Sequence, residues 1–414
     1  MLAEIIAIGS ELLTPFRQDT NSLYLTTKLN ELGVNVAFKD VVGDNAEHLT
    51  LVAQIALRRA DIIIFMGGLG PTEDDLTREC VAEALGVRLV RDQDLVADLY
   101  KRFASRRATM TDNNLQQADL IEGAESLPNP LGSAPGQWLE TTYDGDRRLL
   151  MLLPGPPFEL ERMFAEECLP RLKAKLPPAY IATRVLRLAM IGESQADSIA
   201  APVYTKYDDI QTTILAGAGE VQFHLKASSE SQLVAQDKVD RLAEELEDAL
   251  GEQVFSSGGE TLEQIVGYYL QMRNATLAVA ESCTGGLLAE RITSVSGSSR
   301  YFLGGAVVYS NELKTLMADV PPLLIQEQGA VSKQVAIALA EGIRKKCRAN
   351  IGVGITGVAG PTGGTDDKPV GLVYCAVADS RGSEFTENRF PGTRERIRLY
   401  STQRALDMVR RRLI

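Results

Sequence analysis

The sequence predicts an α/β protein, with two αβα domains on parallel sheets and a small α+β module between them. Three observations carry this. Over residues 1–172, short β-branched apolar runs alternate with amphipathic helical segments, the pattern of βαβ units. The same alternation returns over 256–414. In between, over 180–255, the order becomes strand, helix, two strands around a glycine-rich turn, and a long helix. A chain of 414 residues exceeds what one core holds, so three domains are expected at these boundaries.

In the first segment AEIIAIGS reads as a strand. NSLYLTTKLNELG has helical spacing at Leu25, Leu29 and Leu32 and stops at Gly33. VNVAFKDVV is a strand, EHLTLVAQIALRRA a helix, DIIIFMGG a buried strand ending in glycines, and TRECVAEALG a helix with a glycine stop. RRLLMLLPGPPFELERMF adds a strand, a Gly/Pro turn and a helix. KAKLPPAYIATR reads as a linker because of its paired prolines.

The middle module opens with the strand TRVLRLAMI. A helix broken near Pro202 follows, then two strands in QTTILAGAGEVQFHLKA. It closes with a long helix apolar at Val239, Leu242, Leu246 and Leu250. From LEQIVGYYLQM onward helices and strands alternate again to the terminal helix RERIRLYSTQRALDMVRRRL, whose final arginines read as a solvated helix end.

A hydrophobic fraction of 45% with 24% charged residues is that of a soluble globular protein. No apolar run approaches the ~18 residues that cross a bilayer. The N-terminus reads as a first strand and not as a signal peptide. Five cysteines with no CxxC pair give neither a zinc nor a disulfide framework, so a reducing cytoplasm is expected. The net charge of −12 speaks against a general nucleic-acid binder. In the module, six basic residues face thirteen acidic ones over 184–252, and no GxxG has basic flanks, which speaks against RNA.

Chemistry concentrates at two strand ends. The first is GGLGPTEDDLT, where Gly67, Gly68, Gly70 and Thr72 follow a buried strand and Asp74 and Asp75 precede a helix. Glycines let a backbone approach a ligand, and a helix start offers N–H groups to phosphate. The carboxylates would repel that phosphate unless Mg²⁺ or a similar divalent cation lies between them. No Gly-Lys-Ser/Thr follows, so this is not a Walker A loop. The competing reading is a tight turn whose acids serve the helix dipole.

IGSELL, DTNSLYL, VVGDN, GGLGPTEDDLT and LPGPPFE occur here in that order. This resembles the molybdopterin-binding domain family, in the branch found in CinA (competence/damage-inducible) proteins. The resemblance implies a molybdopterin-binding-like αβα domain that hydrolyses ADP-ribose to AMP and ribose 5-phosphate with a divalent metal. It also implies that the Gly67–Gly70 loop with Asp74 and Asp75 contacts pyrophosphate and metal, with Glu11, Asn21, Asp44 and Gly155 as neighbours. Asn21 also reads as a helix N-cap and Gly155 as a turn.

The second strand end is AESCTGG, where Ser282 sits at a strand-to-helix turn, though serine is also a common N-cap. Both histidines, His48 and His224, lie far upstream, so another base is needed. GGAVVYSNELK supplies Tyr309 and Lys314, 27 and 32 residues beyond Ser282. If that strand lies beside the first, Tyr309 reaches the same edge and Lys314 falls about one turn into a helix. A buried lysine is a base because burial disfavours its ammonium form. A Ser–Lys pair tuned by a tyrosine hydroxyl then performs acyl chemistry, with N–H groups at Gly285–Gly286 for the oxyanion and Cys283 as a packing neighbour. The alternative leaves Lys314 on an exposed helix surface.

Gly352, Gly354 and Gly357 match GxGxxG formally, but no helix follows, which excludes a Rossmann site. Thr356 still suits a phosphate or ribose contact, and Arg394 suits a phosphate.

AESCTGG, GGAVVYSNELK, GAVS, GITGVAGPTGG, KPVG and FPGTRERIR together resemble the CinA C-terminal domain, the nicotinamide mononucleotide (NMN) amidase family. The resemblance implies deamidation of NMN to nicotinate mononucleotide and ammonia, without a cofactor. It implies Ser282, Tyr309 and Lys314 as catalytic residues, and Thr356 with Arg394 or Arg398 as substrate contacts. The middle module resembles the KH-like segment between these domains and is expected to act as a spacer or dimerisation element, giving a homodimer. The expected partners are small molecules, with neither nucleic acid nor membrane. A different class remains open, a non-catalytic nucleotide- or molybdopterin-binding adaptor linked to competence or DNA damage.

Overall fold

The computed structural model describes residues 1–105, 109–177 and 180–414. The chain divides into two compact units. One is Met1–Ile181 with Ser228–Ala235, and the other Ala182–Ala227 with Gln236–Ile414.

The first unit is built on a six-stranded sheet in the order Asn35–Val42, Leu2–Ile8, Ile62–Met66, Asp146–Leu153, Gly136–Tyr143, Glu125–Leu127. Alternate residues of the central strands feed two cores. Ile6, Ile8, Ile63 and Phe65 face one side, while Ala3, Ile5, Ala7, Ile62 and Ile64 face the other. Burial on both faces is why these runs read as continuously apolar.

The first four strands are parallel, as expected. The last two are antiparallel, so the sheet is mixed and the all-parallel expectation is corrected. A two-residue hairpin loop, Asp144-Gly145, makes the reversal, with φ of 51° and 89°. That is the Asp-Gly signature of a primed turn. Residues 178 and 179 of the expected linker lie outside the described residues. The rest of that stretch ends the helix Leu169–Lys175 and starts the strand Tyr180–Ala189.

The second unit holds a four-stranded sheet in the order Ile210–Gly217, Glu220–Ser229, Tyr180–Ala189, Val254–Ser256, with the helices Glu193–Tyr204 and Gln232–Leu250. The helix expected to break near Pro202 runs through it. Only the turn up to Tyr204 follows the proline, so the bond its missing N–H forfeits and any kink fall in the last turn.

The unit also holds a five-stranded sheet, ordered Phe302–Val307, Leu277–Glu281, Ile351–Gly357, Leu372–Asp379, Gly382–Arg389. The first three strands are parallel and the last two antiparallel. The polar edge strand GSEFTENR carried no apolar signal.

A Cβ on Gly352 or Gly354 would lie 2.1 Å from the Ala340 carbonyl or 2.3 Å from that of Ala336. These glycines let the helix Lys333–Cys347 press onto the strand, and the Rossmann exclusion stands for that packing reason. The terminal arginines are not a solvated end. Arg410 is 4% exposed and paired with Asp407 at 2.8 Å, and Arg411 pairs with Asp407 and Glu252. Among the described residues no helix is long and apolar enough to cross a membrane.

Candidate active sites

In both αβα sheets the chain moves to one side of its first strand and then to the other. The carboxyl ends of the strands flanking such a switch form a crevice. In the first unit that crevice is a cavity of about 340 Å³. Of the residues singled out from the sequence, Glu11, Asp44, Gly67, Gly68, Gly70, Asp74, Asp75 and Gly155 line it. Gly67 has φ of 101°, and a Cβ there would lie 2.3 Å from the Ile8 carbonyl, so the loop reaches this position only as glycine.

Thr72 and Asn21 do not line the cavity. The Thr72 N–H and hydroxyl both donate to Asp75 Oδ2, at 2.9 and 2.6 Å. Asn21 Nδ2 donates to the Gly155 carbonyl at 2.8 Å. Asn21 is the first residue of the helix Asn21–Glu31, and Thr20 holds the N-cap position. Both side chains therefore brace the cavity wall from behind.

Among the described residues no three His, Cys, Asp or Glu side chains gather as a metal cluster. The expected set Glu11, Asp44, Asp74 and Asp75 shares one cavity without converging. Asp44 is held by the Ser10 N–H at 2.8 Å and Asp75 by Thr72. Asp74 is exposed, and the Thr72 hydroxyl with a backbone N–H holds its carboxyl below the usual range. Carboxylates beside free loop amides suit a hard cation that takes one or two protein oxygens and completes its shell from phosphate and water, as Mg²⁺ does.

The loop is tied down through its carbonyls. The Thr77 hydroxyl donates to Gly67 O at 2.7 Å. Arg78, 1% exposed, donates to Leu69 O at 2.7 Å and Gly70 O at 3.0 Å. Asn113 and Gln116 donate to Pro71 O and Thr72 O at 2.9 and 3.3 Å. The sequence reading passed over these donors, because a polar residue in an amphipathic helix carries no signal of which carbonyl it meets.

In the second unit the strand Leu277–Glu281 pairs with Phe302–Val307 on one side and Ile351–Gly357 on the other. Glu281 stands opposite both Val307 and Ile355. The register carries past the strand end. The Ser282 N–H donates to Ile355 O at 3.0 Å and the Val308 N–H to Glu281 O at 2.7 Å. Ser282 and Tyr309 thus reach one sheet edge, as their spacing led us to expect, and Thr356 joins them there.

Lys314 is the fourth residue of the helix Asn311–Ala318, whose start is capped by the Ser310 hydroxyl. It is 2% exposed, which excludes the surface alternative. Burial lowers its pKa, opposed by the nearby Cys283. Its Nζ donates to Val308 O at 3.0 Å and Tyr309 O at 3.3 Å. Among the described residues no hydrogen bond joins Nζ to the Ser282 hydroxyl. The direct Ser–Lys contact expected from spacing is not formed; the amine is held by these two carbonyls instead. Cys283 belongs to the core, and burial pushes its thiol up to about 12, so it is a packing neighbour and not a thiolate.

The expected oxyanion donors are corrected. The Gly285 N–H donates to Ser282 O at 3.1 Å. The Gly286 N–H goes to Glu281 Oε2 at 3.1 Å. The same buried carboxylate accepts the N–H groups of Leu288 and Ala289 at 3.0 and 2.8 Å. A carboxylate capping this helix start leaves it no donor for a second anion. The N–H groups of Cys283 and Thr284 have no partner among the described residues.

Arg394 donates to Gly360 O at 2.7 Å and to the Tyr309 hydroxyl at 3.1 Å. Arg398 grips Thr284 O with two nitrogens at 3.0 and 2.7 Å. Arg394 thus meets the exposed tyrosine while Arg398 holds the serine turn. The Thr356 hydroxyl donates to Ala330 O at 2.8 Å.

Comparison with known proteins agrees with this layout. Residues 4–174 match the probable molybdopterin binding domain, 183–256 the damage-inducible protein CinA KH domain, and 259–413 the CinA C-terminal domain. The chain is 66% identical to a CinA-like protein of Koribacter versatilis and 44% identical to a putative competence-damage inducible protein of Moorella thermoacetica. The alignments cover all of this chain in both cases, and 100% and 99% of those proteins. A crystal structure of the competence/damage inducible protein CihA from Agrobacterium tumefaciens is 38% identical over 36% of this chain and 90% of that one, with a TM-score of 0.35. Fold and matches define a mixed α/β protein in which a molybdopterin-binding-type domain, a KH-type module and a C-terminal α/β domain follow in one chain. The chain belongs to the CinA family.

Proposed function

We propose that the chain is a bifunctional pyridine-nucleotide hydrolase. Its C-terminal domain deamidates NMN, and its N-terminal domain hydrolyses ADP-ribose with a divalent metal. One observation carries the first activity. A buried amine with a lowered pKa stands at the same sheet edge as Ser282, and neither histidine of the chain belongs to that sheet or its connecting helices.

In this reading neutral Lys314 takes the Ser282 proton as Oγ attacks the carboxamide carbon. The tetrahedral oxyanion forms beside the free N–H of Cys283, the residue after the nucleophile, where strand-to-helix turns place such a donor. The C–N bond then breaks, the nitrogen leaves as ammonia with the proton from Lys314, and water hydrolyses the nicotinoyl ester. The Lys314–Ser282 contact closes with substrate bound, since catalytic hydrogen bonds are commonly long in free enzymes. Tyr309 tunes the Ser–Lys pair through its hydroxyl, and Arg394, which donates to that hydroxyl, serves the phosphate side of the substrate.

Lys314 sets the pH dependence. Below its lowered pKa the amine is protonated and cannot act as base, so kcat/KM for NMN falls as pH falls through that value. A profile without this limb counts against Lys314. The same shift acts on stability. Between the folded pKa and the ordinary lysine value of 10.5 the unfolded chain binds more protons, so stability rises with pH in that window. Lys314→Met should remove this part of the rise, read as Tm against pH.

In the N-terminal cavity the loop amides would hold the pyrophosphate. Asp74 and Asp75, with Asp44 and Glu11 nearby, would hold Mg²⁺ or a similar ion, which supplies charge neutralisation at the phosphate oxygens. The fit rests on carboxylates and unpartnered backbone N–H groups sharing one cavity. Chelation should therefore separate the activities. EDTA should abolish AMP release from ADP-ribose while ammonia release from NMN continues, both followed by mass spectrometry of products. Loss of ammonia release with EDTA would contradict the Ser–Lys mechanism.

A further inference from the structure

Arg78 is the second residue of the helix Thr77–Leu85, buried beneath the Gly67–Gly70 loop. It takes no part in the chemistry proposed above. In a trans peptide the C=O of one residue and the N–H of the next point in opposite directions. A donor that draws a carbonyl to one side therefore turns the following N–H to the other.

Arg78 draws back Leu69 O, which turns the Gly70 N–H, and Thr77 draws back Gly67 O, which turns the Gly68 N–H. The N–H groups of Gly68, Leu69 and Gly70 have no partner among the described residues, and all three residues line the cavity. An independent feature also points to a ligand. Gln117, 1% exposed, is part of the cavity wall, and its Oε1 has no partner, an acceptor left for a ligand hydroxyl, a water or a cation and not for a phosphate oxygen.

We propose that Arg78 is a positioning residue for anion recognition, and that by fastening the Leu69 carbonyl from behind, with the Gly70 carbonyl before Pro71 as a second anchor, it presents the Gly70 N–H to the oxygens of a pyrophosphate group. This rests on the ligand class in the reading above. The guanidinium is suited to the task because its fork spans two adjacent carbonyls, whereas an ammonium keeps the charge without that geometry.

The test uses the full chain with inorganic pyrophosphate and Mg²⁺ as probe. Binding is measured by calorimetry, and selectively ¹⁵N-glycine-labelled protein reports the Gly68 and Gly70 amides. In wild type both amide signals should shift on titration. Arg78→Met and Arg78→Lys should each weaken binding by about tenfold or more, since a hydrogen bond to a charged group is worth at least that. Millimolar guanidinium should restore part of the loss in Arg78→Met.

If Arg78→Met does not fold, Thr77→Val frees Gly67 O and should weaken binding in the same direction. Unshifted amides, no pyrophosphate binding by wild type, or unchanged affinity in a folded Arg78→Met protein would overturn the assignment. Wild type that binds pyrophosphate through these amides yet leaves ADP-ribose intact would overturn the hydrolase reading alone. Wild type that hydrolyses ADP-ribose, with Arg78→Met unchanged in KM, would overturn the Arg78 assignment alone.

Discussion

Ser282→Ala is expected to lower NMN deamidation on the order of 10³-fold or more, since no second nucleophile is available to form the acyl intermediate. The adjacent cysteine cannot substitute. Its thiol is buried and pushed up to about 12, so it holds its proton at neutral pH. Lys314→Met should be comparably inactive, because residues that act as one unit are not additive. The double variant should then be no worse than either single one. Steady-state ammonia release and trapping of a nicotinoyl ester check this. A Ser282→Ala enzyme with more than a few per cent of wild-type turnover would remove the serine from the mechanism. Folding is not at stake, because the Ser282 hydroxyl has no hydrogen-bond partner among the described residues. ADP-ribose turnover should be unchanged and serves as the internal control.

Asp75 should control the other activity. Asp75→Ala removes both a negative charge from the cavity and the acceptor for the Thr72 N–H and hydroxyl. Asp75→Asn keeps an acceptor oxygen and removes only the charge. If the charge holds a metal ion against the pyrophosphate, both variants should lose ADP-ribose hydrolysis by about 10²-fold or more, the usual cost of one preorganised electrostatic partner. If Asp75 only fastens the loop, Asn should retain most of the rate. NMN deamidation should stay at the wild-type level in both. A wild-type chain that binds ADP-ribose without cleaving it would favour a ligand-sensing domain. The observation that leaves this second reading standing is the absence, among the described residues, of a converged carboxylate cluster.

Much of both candidate sites was legible because each lies where a period changes. The apolar run of Ile62–Met66 ends at Gly67, and that of Leu277–Glu281 ends at Ser282. Side-chain periodicity of two places these residues at a strand end without reference to any other part of the chain. Reading NELK as the start of a helix likewise put Lys314 about one turn in, where the structure has it as the fourth residue. The polar edge strand Gly382–Arg389 and the Asp144-Gly145 hairpin went unread for different reasons. The first has no apolar alternation, and the second is a short signal inside a stretch read for helices and parallel strands.

The sequence by itself determined which residue types stand at the two strand ends, and that the second offers a serine, and a lysine 32 residues on, but no histidine. Only the tertiary structure decided which backbone groups those ends leave free. Glu281 reaches round its own turn to occupy the helix start, which withdraws Gly286 as an anion donor and leaves the Cys283 N–H open. Arg78 does the opposite at the other strand end, taking the Leu69 carbonyl and so releasing the Gly70 amide. Each backbone donor or acceptor is normally met by some partner. Which partner meets it depends on how a turn folds back on a neighbouring helix, and spacing along the chain does not encode that.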